Sequence, residues 1–164
     1  MNGLPTPVGK IGLDVSANSD RLYAVVEADP KGGVYRSDDA GKSWQLMNDG
    51  WGLHSRAWYY MKIVADPKNP DVVWVLNAPV SKSIDGGKTW TQLLKGENPT
   101  SGAAGLSMDP TNPRILYAAM WDHQRTPWMV RSGGPGGGIW KSTDGGDTWT
   151  RLSEGLPKLM GNLD

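Results

Sequence analysis

The apolar positions of this 164-residue chain fall into short runs of strand length, with no long stripe at helical spacing. Three of these runs, YAVV at 23–26, VVWVL at 72–76 and ILYAAM at 115–120, are apolar at every position. A strand of that kind buries both of its faces. Shorter runs flank each of them, and Gly, Pro, Asn and Asp punctuate the gaps, with 22 glycines and 12 prolines in all. The pattern predicts strands at 11–15, 21–28, 33–36 and 43–47, at 58–65, 72–77, 80–83 and 89–94, and at 104–108, 115–121, 138–142 and 148–152. Segments 48–60 and 122–137 are expected as loops. In the strands, Trp58 and Tyr60 are expected in the core and Trp121 at the end of a buried strand, whereas Trp51 and Trp128 lie among loop residues.

The units repeat. KSIDGGKTWTQL at 82–93 returns as KSTDGGDTWTRL at 141–152, with a looser copy, RSDDAGKSWQLM, at 36–47. Upstream, ADPKNPDVVWVLN at 65–77 matches MDPTNPRILYAAM at 108–120 and, more loosely, DVSANSDRLYAVV at 14–26. Four short antiparallel strands recurring every 40–50 residues or so predict the blades of an all-β propeller. The reading is three blades per chain, at 9–49, 56–96 and 102–154. Segment 155–164, GLPKLMGNLD, echoes the opening GLPTPVGKIGLD and reads as the start of a further repeat or a linker. Propellers usually close with about four to eight blades, so two copies are expected to pair as a homodimer in a six-bladed ring.

Within the repeated phrase the fixed positions are Ser37, Asp39, Gly41, Ser43 and Trp44, then Ser83, Asp85, Gly87, Thr89 and Trp90, then Ser142, Asp144, Gly146, Thr148 and Trp149. They suit a turn between third and fourth strands: the carboxylate accepts from backbone N–H groups, Gly permits a positive φ, and Trp supplies an apolar plate. The phrase resembles the Asp-box, or BNR repeat, of sialidases, xyloglucanases and sortilin-type propellers. RAWYY, DPKNPDVVWVLN, QRTPW and KSTDGGDTWTRL further resemble large bacterial sortilin-like proteins often labelled glycosyl hydrolases, of which this chain looks like a fragment or permuted piece. The resemblance implies that the boxes are structural and lie away from the ligand face. It also implies a carbohydrate-active or carbohydrate-binding propeller, and a secreted or periplasmic setting.

Charge narrows the partners. Seventeen basic residues balance seventeen acidic ones, so neither nucleic acid nor an anionic membrane is expected as a partner. No apolar run reaches the roughly eighteen residues of a membrane helix, and the opening residues carry no signal-peptide core. Cysteine is absent, which excludes disulfides and thiolate metal sites.

Topology puts segments 48–60 and 122–137 on one face, opposite the boxes. They hold both histidines, His54 and His123, with Arg56, Arg125 and Arg131, and the aromatics Trp51, Tyr59 and Trp128. Aromatic planes stack on sugar rings while Arg and His bond hydroxyls or carboxylates. The candidate ligand-binding residues are therefore Trp51, His54, Arg56, Tyr59, His123, Arg125, Trp128 and Arg131; the catalytic candidates are His54, Arg56, Asp122, His123 and Arg125. Acids on this face are Glu27, Asp29, Asp49, Glu97 and Asp122. No cofactor is expected under this reading. One alternative is a metal-assisted hydrolase with zinc on His54, His123 and Asp122; another is a scaffold that binds protein or peptide without chemistry.

Overall fold

The computed structural model describes residues 2–17 and 20–156. Strands β1 (Ile11–Val15), β2 (Leu22–Val26), β3 (Gly33–Ser37) and β4 (Gln45–Asn48) form one antiparallel meander. The second comprises β5 (Lys62–Ala65), β6 (Val73–Leu76), β7 (Val80–Ser83) and β8 (Thr91–Leu94). In the third, β9 (Ser101–Met108), β10 (Leu116–Thr126), β12 (Gly138–Ser142) and β13 (Thr150–Leu152) pair in that order, and β11 (Met129–Ser132) folds back on the far half of β10. The fold is the expected all-β propeller, with three four-stranded blades. The expected further repeat at 155–164 lies, from residue 157 on, outside the described residues.

The continuous apolar runs explain the stacking. Each box serine pairs with the first residue of the second strand: Ser37 with Leu22, Ser83 with Val73, Ser142 with Leu116. Counting from there, Tyr23 and Val25 point to one side of the first sheet and join Ile63, Ala65, Val73 and Val75 in one core cluster. Trp74 and Leu76, on the other side of the second sheet, join Leu116, Ala118 and Met120 in the next. Strands β2 and β6 thus each feed two cores and β10 feeds one, and each fully buried aliphatic side chain contributes roughly 1.5–3 kcal/mol. Strands β1 and β5, and β5 and β9, run beside each other, which sets the first strands around a common axis.

Two expectations are corrected. The strand expected at 58–65 begins only at Lys62. Residues 50–60 instead wind through a 3-10 turn at Trp51–Leu53 and a second helical turn, in which Tyr60 N–H donates to the Arg56 carbonyl at 2.8 Å. Leu53, His54, Ala57, Tyr60 and Met61 are buried, a spacing of three and four that turns Trp58 and Tyr59 outward. Trp58, expected in the core, is exposed; Tyr60 is buried as expected. Segment 122–137, expected as a loop, is largely a hairpin in which His123, Gln124, Arg125 and Thr126 pair with Ser132, Arg131, Val130 and Met129. Smaller differences lie at the fourth strands, which start two residues later than expected, directly after the box Trp, because the box Ser or Thr and its Trp belong to the turn.

The three boxes share one geometry. Ser37, Ser83 and Ser142 hydroxyls donate to Asp39, Asp85 and Asp144 and accept from the N–H of Gly41, Gly87 and Gly146. The carboxylates then accept from the N–H and hydroxyl of Ser43, Thr89 and Thr148, and each box indole N–H donates to its glycine carbonyl. Gly87 (φ 92°) and Gly146 (φ 97°) occupy left-handed backbone, and a Cβ on Gly146 would stand 2.7 Å from Leu93 of the preceding blade. Boxes also bond to the turn between first and second strands: Ala40, Gly86 and Gly145 N–H donate to the carbonyls of Asp20, Asp71 and Arg114, each at 2.9 Å. The boxes therefore occupy one face of the molecule, at the far end of the strands from residues 27–32 and 50–60.

Candidate functional site

On the face away from the boxes, the end of β2, the 50–60 segment and residues 7–9 enclose a cleft of about 580 Å³. Trp51, Trp58, His54 and the acids Glu27 and Asp29 are among the residues that line it. The two indoles are 72% and 87% exposed, so large apolar surfaces face solvent beside polar groups. His54 is buried, with Trp51 edge-on at 5.2 Å. It fits only because Gly32 has no side chain: a Cβ there would lie 2.7 Å from the imidazole Cε1. Glu27 Oε2 accepts the Lys10 N–H at 2.9 Å, which fixes the carboxylate at the cleft edge.

The remaining candidates gather around the β10–β11 hairpin. His123 is packed between Trp121 and Tyr59, with ring centroids at 4.2 and 4.7 Å. Neither of its ring nitrogens meets a hydrogen-bond partner within the protein. Burial pushes its pKa below 6.5, and the Arg125 and Arg131 charges add to that, so the ring is neutral at pH 7. Behind it, the Tyr60 hydroxyl donates to the Trp121 carbonyl at 2.8 Å, and burial pushes its pKa up to about 12.

Asp122 is fully buried yet saturated. Oδ1 accepts from the Thr100 hydroxyl at 2.6 Å and Arg131 Nη2 at 3.0 Å; Oδ2 accepts from Asn98 Nδ2 at 2.9 Å and the Gly136 N–H at 3.2 Å. Burial pushes its carboxyl upward, but the bonds from Thr100, Asn98 and Gly136 and the Arg131 charge outweigh it and hold the group below 3.8. Here it is a clasp at the hairpin base. Arg56 is half-buried and donates to the Pro99 carbonyl at 3.1 Å. Arg125 and Trp128 are exposed along the hairpin.

The sequence candidates thus divide between two neighbourhoods: Trp51 and His54 in the cleft, and Tyr59, Asp122, His123, Arg125, Trp128 and Arg131 at the hairpin. The described residues hold no group of three or more His, Cys, Asp or Glu placed for a metal ion, so His54, His123 and Asp122 are not gathered around one point. Trp58 lines the cleft but is not among the sequence candidates, because it sits in an apolar run; the helical spacing of its buried neighbours is the signal that places it outside.

A family model for Sortilin-Vps10 (sortilin, neurotensin receptor 3) matches residues 32–160. A xyloglucanase of Acetivibrio thermocellus is 28% identical over 151 residues, covering 81% of this chain and 16% of that protein. A xyloglucanase of Hypocrea jecorina is 32% identical over 143 residues, covering 74% and 15%. The chain therefore spans about a sixth of the length of these curated relatives. Among solved structures, the GH74 enzyme of Niastella koreensis superposes with a TM-score of 0.61 at 22% identity, over 90% of this chain and 22% of that one. YCF48 of Cyanidioschyzon merolae superposes with a TM-score of 0.57 at 20% identity, over 91% and 38%. Both structural likenesses concern the fold.

Proposed function

The chain belongs to the Sortilin-Vps10 family of Asp-box propellers, and from that premise we propose that it is a glycoside-hydrolase-like unit that binds a xyloglucan-type polysaccharide in the cleft between Trp51 and Trp58. One observation carries the reading: two solvent-facing indoles and two carboxylates line a single groove on the face away from the boxes. Indole planes cover the apolar faces of glucosyl rings, and carboxylates accept from their hydroxyls. The xyloglucanase names of the relatives set the choice of glycan. Glu27 and Asp29 are the acids of the cleft, and hydrolysis would run through them, since glycosidases act with two carboxyl groups across the scissile bond. A polysaccharide does not cross a membrane unaided, so the same reading puts the protein outside the cytoplasm.

Calorimetric titration with xyloglucan oligosaccharides tests this. Trp51→Ala and Trp58→Ala are each expected to weaken binding about tenfold, the loss of one stacked ring. Affinity unchanged in both variants contradicts the proposal. Release of reducing ends by the wild type, abolished in Glu27→Gln and Asp29→Asn, assigns turnover to the two acids.

A further inference from the structure

A further cavity, of about 330 Å³, lies at the middle blade, on the face away from the boxes. Every residue that lines it falls between 56 and 101, and the blades on either side of this one are both within the described chain. Arg56 and Lys95 line it, and among the described residues no acid does. Arg56 is held in place. Its carbonyl accepts from the N–H groups of Tyr59 and Tyr60 at 3.0 and 2.8 Å, and its Nη2 donates to the Pro99 carbonyl at 3.1 Å. Most of the remaining lining comes from residues 95–101, which Asn98 ties together. Its Oδ1 accepts from the Thr100 N–H at 3.0 Å, its carbonyl accepts from the Ser101 hydroxyl at 3.1 Å, and its Nδ2 donates to Asp122 at 2.9 Å. Gly96 packs so closely that a Cβ there would lie 2.3 Å from Ser101 Oγ. Glu97, the one acid of this loop, is engaged elsewhere: Arg151 Nη1 donates to its two oxygens at 3.2 and 3.0 Å. Among the described residues no ion pair joins Arg56 or Lys95 to a carboxylate.

We infer that this cavity binds a uronic-acid sugar, with Arg56 and Lys95 meeting the sugar's carboxylate. A guanidinium and an ammonium are the side chains that bond a carboxylate most strongly. Gln92, also in the lining, brings an amide for ring hydroxyls, and Ala78 and Pro79 bring apolar surface for the ring itself. The volume falls within the roughly 300–1,000 Å³ of ligand cavities, which suits a sugar unit better than a bare ion. The cleft beside it has the opposite character. Glu27 and Asp29 line that cleft and no Lys or Arg does, with Ser55 in its lining and Arg56 in the lining of the cationic cavity. A glycan lying across residues 55 and 56 therefore places a uronosyl unit on the cations and keeps it from the acids. That extension rests on the cleft reading; the acid-sugar site rests on its own residues.

A proton–nitrogen correlation spectrum of the 164-residue chain, titrated with methyl glucuronide and separately with methyl glucoside and sodium acetate, tests the inference. The amide signals of Arg56, Lys95 and Gly96 are expected to shift with saturation on the glucuronide, and about tenfold more weakly or not at all on either control. Arg56→Gln and Lys95→Gln are each expected to raise the glucuronide Kd about tenfold, the loss of one charge-assisted contact. Lys95 is exposed, so its variant keeps the fold and the comparison stands on it if Arg56→Gln disturbs the helical turn. Trp51→Ala and Trp58→Ala are expected to leave this Kd unchanged. Acetate binding as tightly as the glucuronide means an anion point without sugar recognition, and glucoside binding as tightly means that the carboxylate plays no part; either result overturns the inference. So does an unchanged Kd in Lys95→Gln. A chain that binds the glucuronide and ignores xyloglucan oligosaccharides removes the cleft reading and keeps this one, and the reverse outcome removes this one alone.

Discussion

The box aspartates show how much local structure one side chain can organise. In each blade a single carboxylate receives a serine hydroxyl, a second hydroxyl and at least one backbone N–H. The hydroxyl and N–H of Ser43 and Thr89 are the main reason that Asp39 and Asp85 are held down at about 2; Thr148 and Ser142 hold Asp144 lower still. The ordinary value is 3.8. As pH falls below it, the unfolded chain takes up these protons before the folded one does, so acid favours unfolding. The stabilisation is complete above pH 4 or so and is lost as pH falls through about 2. Thermal melts between pH 5 and pH 2 are expected to show the loss concentrated below pH 4, and to show less of it in Thr89→Val, where one donor to Asp85 is gone. A melting temperature flat down to pH 2 contradicts the role. Three half-buried acids are thereby committed to the turns, and the sequence spacing alone made that legible, because Ser-x-Asp-x-Gly-x-Thr-Trp places each donor within reach of one carboxylate.

Among elements, the hairpin of β10 and β11 was the least legible. Asp, His, Gln and Arg at 122–125 break the apolar alternation of a strand, and Pro127 reads as loop. What makes this segment a strand pair is tertiary: Asp122 clasps Arg131 and Thr100 at its base, and the Trp121 indole N–H donates to Ser132 Oγ at 3.0 Å. Arg131→Ala leaves a buried carboxylate short of its charged donor. The expected cost is about 1–3 kcal/mol, and amide exchange should speed up selectively at residues 123–132. Exchange unchanged there would remove the clasp from the account. The 50–60 segment failed for the opposite reason. Residues 58–60 looked like the start of a strand and those before them like a loop, yet Leu53, Ala57, Tyr60 and Met61 are spaced for a helical turn. A period of three to four, weighed against a period of two, would have turned Trp58 to solvent and assembled the cleft in advance.

At the scale of the whole molecule, repetition determines what is buried and what is left for ligands. Apolar central strands fill the seams between blades, the boxes fasten one face, and the segments that break the repeat, 50–60 and 122–137, occupy the other. The fold was legible because every blade states it again. The site was only half legible, because Glu27 and Asp29 belong to a turn with no motif of its own, and the two indoles meet them only through the winding of residues 50–60. The central claim is this division of labour between the faces. Nine indole N–H groups, one per tryptophan, are separate probes of it in a proton–nitrogen correlation spectrum titrated with a xyloglucan oligosaccharide. The account predicts that the signals of Trp51 and Trp58 shift with saturation while those of Trp44, Trp90 and Trp149, held in the boxes, stay in place; movement at the box indoles with Trp51 and Trp58 unmoved would contradict it.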